Sequence, residues 1–242
     1  MSNKTVVFSK KAHIANITLQ LPVINQEMAQ ELAEVCEQIR GDDDIYVVTL
    51  TGSGDAFCKG GGEDIAEAYR PAAAIVAIEQ PVIAAINGDA LGIGLEIALS
   101  CDIRIASDKA NFSLPQVTEG RIPTDGGTQR LPRIIRRGKA LELLLTAATI
   151  TAAEALEIGL VSKVVPADAL AGEVAKLTKT IATKGPIALR YLKEAVNKGL
   201  DMTLEQGLRL EADLYFLLHT TSDRTEGIKS FLEKRKPQYK GK

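Results

Sequence analysis

Residues Asn87–Arg130 read NGDALGIGLEIALSCDIRIASDKANFSLPQVTEGRIPTDGGTQR, and the order of patterns in this stretch sets the architecture. A strand, Val82–Ile86, runs into the glycine turn Gly92-Ile93-Gly94. The apolar run Leu91–Ser100 reads as a buried helix, Ile103–Ala106 as a further strand, and a Pro- and Gly-rich loop follows. N–H groups in the first turn of a helix lack intrahelical acceptors and lie at the positive end of its dipole. The turn therefore suits an anionic transition state. A dinucleotide-binding reading fails, because GxGxxG would require glycine where Ile97 stands.

Glu96 lies in that helix among Leu95, Ile97, Ala98 and Leu99. A carboxylate in apolar surroundings is costly unless it is paired. Either it meets an arginine such as Arg104 or Arg130, or it transfers protons with a raised pKa, and the neighbouring turn favours the second reading. The loop beyond offers Gln116, Glu119 and Asp125 as further candidates. Each also has a structural use: Glu119 in solvent, Asp125 capping the turn before Gly126-Gly127, and Gln116 satisfying backbone groups.

Working outward, Thr5–Phe8 and His13–Leu19 read as a hairpin turning at Lys10-Lys11, Gln26–Ile39 as an amphipathic helix, and Ile45–Thr51 as a strand buried on both faces. Thr51–Asp64, TGSGDAFCKGGGED, is a loop built for close backbone approach, and Ala66–Ile78 a short helix broken by Pro71. Lys139–Thr146 is a helix beyond the second loop. From Ala152 onward helical periodicity dominates, in Ala152–Ile158, Ala169–Thr183, Pro186–Lys198, Leu204–His219 and Arg224–Lys234, with only Val161–Val165 as a strand. Alternating strands and helices followed by a helical appendage make this an α/β layered fold with no fixed sequence period.

Over 242 positions, 45% hydrophobic and 25% charged residues suffice for one large domain or one domain with an appendage. The net charge of -2 gives no broad basic field, so nucleic acid is not an expected partner. Lys234, Arg235, Lys236, Lys240 and Lys242 are a local basic exception. Cys36, Cys58 and Cys101 show neither CxxC spacing nor a nearby His, which argues against a disulfide framework and a metal site. Cys58 lacks an activating base, since His13 and His219 lie in unrelated segments. No stretch approaches the roughly twenty apolar residues of a membrane span, and MSNKTVVFSKK lacks a signal-peptide run. The expectation is a soluble, cytoplasmic protein with no membrane partner.

Five segments in register, VVTLTGSGDAFCKGG, PVIAAINGDALGIGLEIALSCDIRIAS, NFSLPQVTEGRIPTDGGTQRLPR, TAAEALEIGLVSKVV and SDRTEGIKSFLEKRKP, make the chain resemble the crotonase superfamily, the enoyl-CoA hydratase/isomerase family, over essentially its whole length. The resemblance implies a ClpP-like spiral of ββα units over residues 1–185 and a C-terminal helical trimerisation region over 186–242. It also implies a homotrimer or homohexamer. The implied ligand is an acyl-CoA substrate, so that coenzyme A belongs to the substrate and no separate cofactor or metal is needed.

The family's two oxyanion-hole N–H groups, which stabilise a thioester enolate, fall on Gly61 and Ile93; anchoring the first on Asp64 instead selects Gly62 or Glu63. Glu96 matches the first hydratase glutamate, whereas the second falls on Gln116, which can orient a water but cannot exchange its proton. Then either Glu96 alone activates the water or shuttles the proton, or Glu119 or Asp125 supplies the missing acid from the same loop. Cys58, Lys59, Gly60, Gly62, Gly92, Pro115 and Gly120 fall along the substrate-binding loops. The resemblance implies enoyl-CoA hydration, with isomerisation, thioester hydrolysis, decarboxylation or non-catalytic acyl-CoA binding as alternatives. The short stretch between Asp64 and Pro81 is expected to reshape the acyl pocket.

Overall fold

The structure is a computed structural model that describes residues 5–61 and 69–242. Strands β1 (Val6–Lys11) and β2 (Ile14–Leu19) form an antiparallel hairpin. Its turn falls at Ala12-His13, two residues beyond the expected Lys10-Lys11, with Ala12 at φ 52°. Helix α1 (Gln26–Arg40) starts where the Asn25 side chain accepts from the Met28 N–H, and it buries Met28, Leu32, Cys36 and Ile39 along one stripe.

Three times thereafter the chain pairs a strand of one sheet with a short strand of another. β3 (Val47–Gly52) leads to β4 (Ala56–Cys58), β5 (Val82–Ile86) to β6 (Asp89–Leu91), and β7 (Ile103–Ser107) to β8 (Asn111–Ser113). The first strands join a six-stranded sheet, β1-β2-β3-β5-β7-β10, whose last strand is Lys163–Val165, parallel except for the hairpin. The second strands stack parallel as β4-β6-β8, and β9 (Ile150–Thr151) closes that sheet antiparallel to β8. Helices α2 (Pro71–Val76) and α3 (Ile93–Ser100) follow the first and second pairs. After the third come a 3₁₀ turn, Pro115–Glu119, then α4 (Gly127–Ile134) and α5 (Arg137–Thr146). This is the expected crotonase spiral of ββα units.

The large sheet is apolar on both faces because both are covered. Val48, Leu50, Val82, Ala84 and Ile86 face the main core, while Val47, Ile83, Ala85 and Ile105 pack with Leu170 and Val174. Those last two belong to α7 (Leu170–Ile181), which follows α6 (Ala152–Glu157) and β10 (Lys163–Val165). Then come α8 (Pro186–Gly199), α9 (Leu204–Leu218) and α10 (Ser222–Leu232). Within this chain α8 buries only Pro186 and α9 only Leu214, leaving Leu192, Val196, Leu200, Leu208, Phe216 and Phe231 exposed.

Three expectations shift. Pro71 starts α2 rather than breaking a helix, since the first helical turn tolerates its missing N–H; residues 66–68 of that expected helix lie outside the described residues. Asp89–Leu91 is a strand, so α3 begins at Ile93. The second loop contains α4, whose Pro132 interrupts the helical pattern without ending it.

Candidate active site

The second sheet delivers three segments to one place. Beyond β4, the Lys59 N–H donates to the Pro22 carbonyl (2.6 Å), the Gly60 carbonyl accepts from the Ile24 N–H (2.9 Å), and Gly61 bridges Ile24. Beyond β6, Gly92 turns the chain into α3 at φ 55°, a conformation favouring glycine, and its N–H donates to the Ser113 carbonyl (2.9 Å). Beyond β8 comes the 3₁₀ turn carrying Pro115 and Gln116, closed by Gly120 at φ 67°. A Cβ placed on Gly92 would lie 3.8 Å from Gly60 Cα, 3.9 Å from Gln116 Nε2 and 4.0 Å from Pro115 Cδ, so the three segments face one another across the bare glycine.

Two close approaches lock this arrangement. At Gly94 a Cβ would sit 2.1 Å from the Cys58 carbonyl oxygen, so α3 presses its first turn directly onto β4. Asn87 ties the preceding turn to the β3–β4 connection, accepting from the Gly52 N–H (3.1 Å) and donating to the Gly54 and Ala56 carbonyls (both 3.0 Å). The N–H of Ile93, first residue of α3, is left without an intrahelical acceptor.

Glu96 is only 2% exposed. Its Oε1 accepts from the main-chain N–H groups of Asp125 (2.7 Å) and Gly127 (2.8 Å), and its Oε2 lies 3.5 Å from Gln116 Nε2. Burial raises its pKa above the ordinary 4.5; the Asp125 carboxylate adds to the rise, while the two N–H donors and Arg130 oppose it. Neither arginine considered as an ion-pair partner is one. Arg104 donates to the Cys101 (2.6 Å) and Leu160 (2.8 Å) carbonyls, and Arg130 to the Asp125 carbonyl (2.6 Å).

Gln116 Oε1 is buried and accepts from no described residue. Glu119 is exposed on the 3₁₀ turn and ion-paired with Arg121. Asp125 is buried, with its carboxylate accepting from the N–H groups of Ala72 (2.6 Å) and Ala73 (3.2 Å) at the start of α2. Neither of these two carboxylates is hydrogen-bonded to Gln116 or Glu96. Cys58 is buried, its thiol pKa pushed up by desolvation. Lys59 lies 3.9 Å from Asp89. Of the basic tail, Arg235 is engaged by Glu226 and Glu233. Gly62, Glu63 and Asp64 lie outside the described residues. Sequence reasoning missed the N–H donors of Asp125 and Gly127; the only signal for them is the Asp125-Gly126-Gly127 turn itself.

A family model described as Enoyl-CoA hydratase/isomerase matches residues 9–242. The chain belongs to this family. YngF of Bacillus subtilis is 42% identical over 259 residues, covering 100% of both chains. The crotonyl-CoA hydratase of Syntrophomonas wolfei is 37% identical over 258 residues, covering 99% of each. The crystal structure of enoyl-CoA hydratase from Bacillus anthracis superposes with a TM-score of 0.90 at 38% identity, covering 98% of this chain and 100% of that one. The chain shares the fold of this enzyme family over nearly its whole length. Among the described residues no helix is long and apolar enough to cross a membrane.

Proposed function

We propose that the enzyme reversibly hydrates a 2-enoyl-CoA, with Glu96 as the single proton-handling carboxylate and Gln116 in place of the family's second glutamate. The observation that carries this reading is the asymmetry of Glu96. Two N–H groups occupy Oε1 and fix the side chain, while Oε2 is directed toward Gln116. In this reading the thioester oxygen accepts from the N–H groups of Gly61 and Ile93, which stabilises the enolate formed when water oxygen attacks C3. Glu96 takes the proton that the water loses and returns it to C2. Gln116 orients the water through its amide, Nε2 toward Glu96 and Oε1 accepting from the water.

The raised pKa of Glu96 suits both halves of that transfer, since the base must also release its proton. A second reading, isomerisation by a 1,3-proton shift, draws on the same observation, because one carboxylate suffices for it. Assaying purified protein with 2-enoyl-CoA and 3-enoyl-CoA substrates of several chain lengths separates the two. Glu96→Gln should abolish whichever activity is present, and unchanged turnover in that variant would overturn both readings. Detecting free thiol or CO₂ without hydration would point to hydrolysis or decarboxylation instead.

The same reading takes residues 1–185 as the catalytic core and 186–242 as the trimerisation region of a homotrimer or homohexamer. Its support is the exposed apolar row on α8 to α10. A cytoplasmic location accords with three buried, free cysteines. Light scattering of the purified protein tests the assembly, and a monomer at micromolar concentration would refute it.

A further inference from the structure

Asp125 touches the candidate catalytic carboxylate and a distant helix at once. Its N–H donates to Glu96 Oε1 (2.7 Å), its carbonyl accepts from Arg130 Nη1 (2.6 Å), and its two carboxylate oxygens accept from Ala72 N (2.6 Å) and Ala73 N (3.2 Å). Every polar group of this buried residue is therefore engaged, and its side chain crosses to an element more than fifty residues earlier in the chain. Helix α2 has no side-chain cap of its own, since the residue at its N-cap is Arg70. Its first N–H groups are satisfied from the catalytic loop instead.

A serine or asparagine at position 70 would cap α2 locally without burying a charge. Taking the cap from Asp125 has a different consequence. The backbone N–H that holds Glu96 is thereby tied to α2 through the Asp125 side chain, in addition to the Arg130 bond at its carbonyl. Helix α2 also packs against α3, which carries Glu96, so the three elements close a ring. We infer that Asp125 is a positioning residue that couples the placement of α2 to the orientation of the Glu96 carboxylate, and not itself an acid or base of the reaction.

The inference rests on the reading of Glu96 as the proton carrier, and the test keeps the two apart. In the enoyl-CoA assay, Asp125→Ala should lower kcat by about tenfold or more while KM stays within about twofold, because orientation and not binding is lost. Asp125→Asn should recover part of that loss, since its Oδ1 still accepts from the Ala72 N–H while its Nδ2 cannot accept from Ala73. The ¹³C carboxyl resonance of Glu96, assigned with Glu96→Gln, should move in Asp125→Ala and return toward its native position in Asp125→Asn.

Should Asp125→Ala fail to fold, Asp125→Ser, too short to reach both N–H groups, carries the same comparison against Asn. An Asn variant as inactive as Ala, with one limb of the pH profile gone, would make Asp125 a catalytic acid and overturn the inference. Full kcat in both variants with only a lowered Tm would reduce Asp125 to a structural cap and overturn it equally. Unchanged turnover in Glu96→Gln would instead sink the underlying reading of Glu96.

Discussion

Replacing Gln116 by glutamate would set a second carboxylate about where the amide now stands, 3.5 Å from Glu96 Oε2. Two full charges at that separation repel by roughly 5 kcal/mol at an effective dielectric of about 20, equivalent to a few thousandfold in proton affinity. The pair therefore holds one proton in common near neutral pH and titrates as a unit. Two results follow for Gln116→Glu. Hydration of a short 2-enoyl-CoA, followed by loss of enoyl absorbance, should speed up, because a protonated partner now shares the transfer to C2. Thermal stability should become steeply pH-dependent. The raised folded-state pKa of the pair lies above its unfolded value, so the native state binds the extra proton and stability declines as pH rises through that window. A melting temperature that tracks the native protein from pH 6 to 9 would show that position 116 does not confront Glu96. No gain in hydration over several chain lengths, with the pH-dependent melting present, would mean that the site is built for another reaction.

Glu96→Gln should lower kcat by about 10²- to 10⁴-fold while leaving the fold intact. Its melting temperature should match or exceed that of the native protein at pH 8, because a buried carboxylate with a raised pKa costs stability once ionised. The native kcat should decline with falling pH along a limb displaced above 4.5, and a limb at or below the ordinary glutamate value would contradict the burial described for Glu96. Gly94→Ala forces a methyl group to within 2.1 Å of the Cys58 carbonyl oxygen; a loss of about 1–3 kcal/mol or more is expected in urea denaturation, together with lowered kcat from displacement of Ile93. Asn87→Ala strands the Gly52 N–H and the Ala56 carbonyl, while the exposed Gly54 carbonyl turns to solvent, at about 1–3 kcal/mol for the groups left unmatched; chemical denaturation within about 0.5 kcal/mol of native would show that solvent replaces them all.

Long or strongly patterned elements could be read from the chain because their cause is local. The stripe Met28, Leu32, Cys36 and Ile39 makes α1 whatever surrounds it, and the continuous apolar Val82–Ile86 makes a strand covered on both faces. Strands β4, β6, β8 and β9 were not legible, since two or three residues carry no period and acquire strand character only from neighbours distant in sequence. The site divides the same way. Glu96 stood out as an acid in an apolar helix, and Gln116 through the family resemblance, which puts the second glutamate at that position. The N–H donors of Asp125 and Gly127 were invisible because a backbone donor has no residue type, and the α2 cap because nothing in a linear pattern joins Asp125 to Ala72. Asp125 and Glu119 look equivalent as spare acids in the sequence; only burial and partners separate a buried cap from an exposed ion pair.

The parallel run β4-β6-β8 brings Gly60 and Gly61, Gly92 and Ile93, and Gln116 to one edge from successive turns of the spiral. The site is in that respect a ladder whose rungs are supplied separately: two carry main-chain N–H groups, and the third carries a side chain. Under the proposed reading, changing what happens to the enolate requires a new residue on one rung, while the other two keep the means of forming it. On that reading, single substitutions at position 116 exchange one reaction for another without rebuilding the oxyanion side of the site.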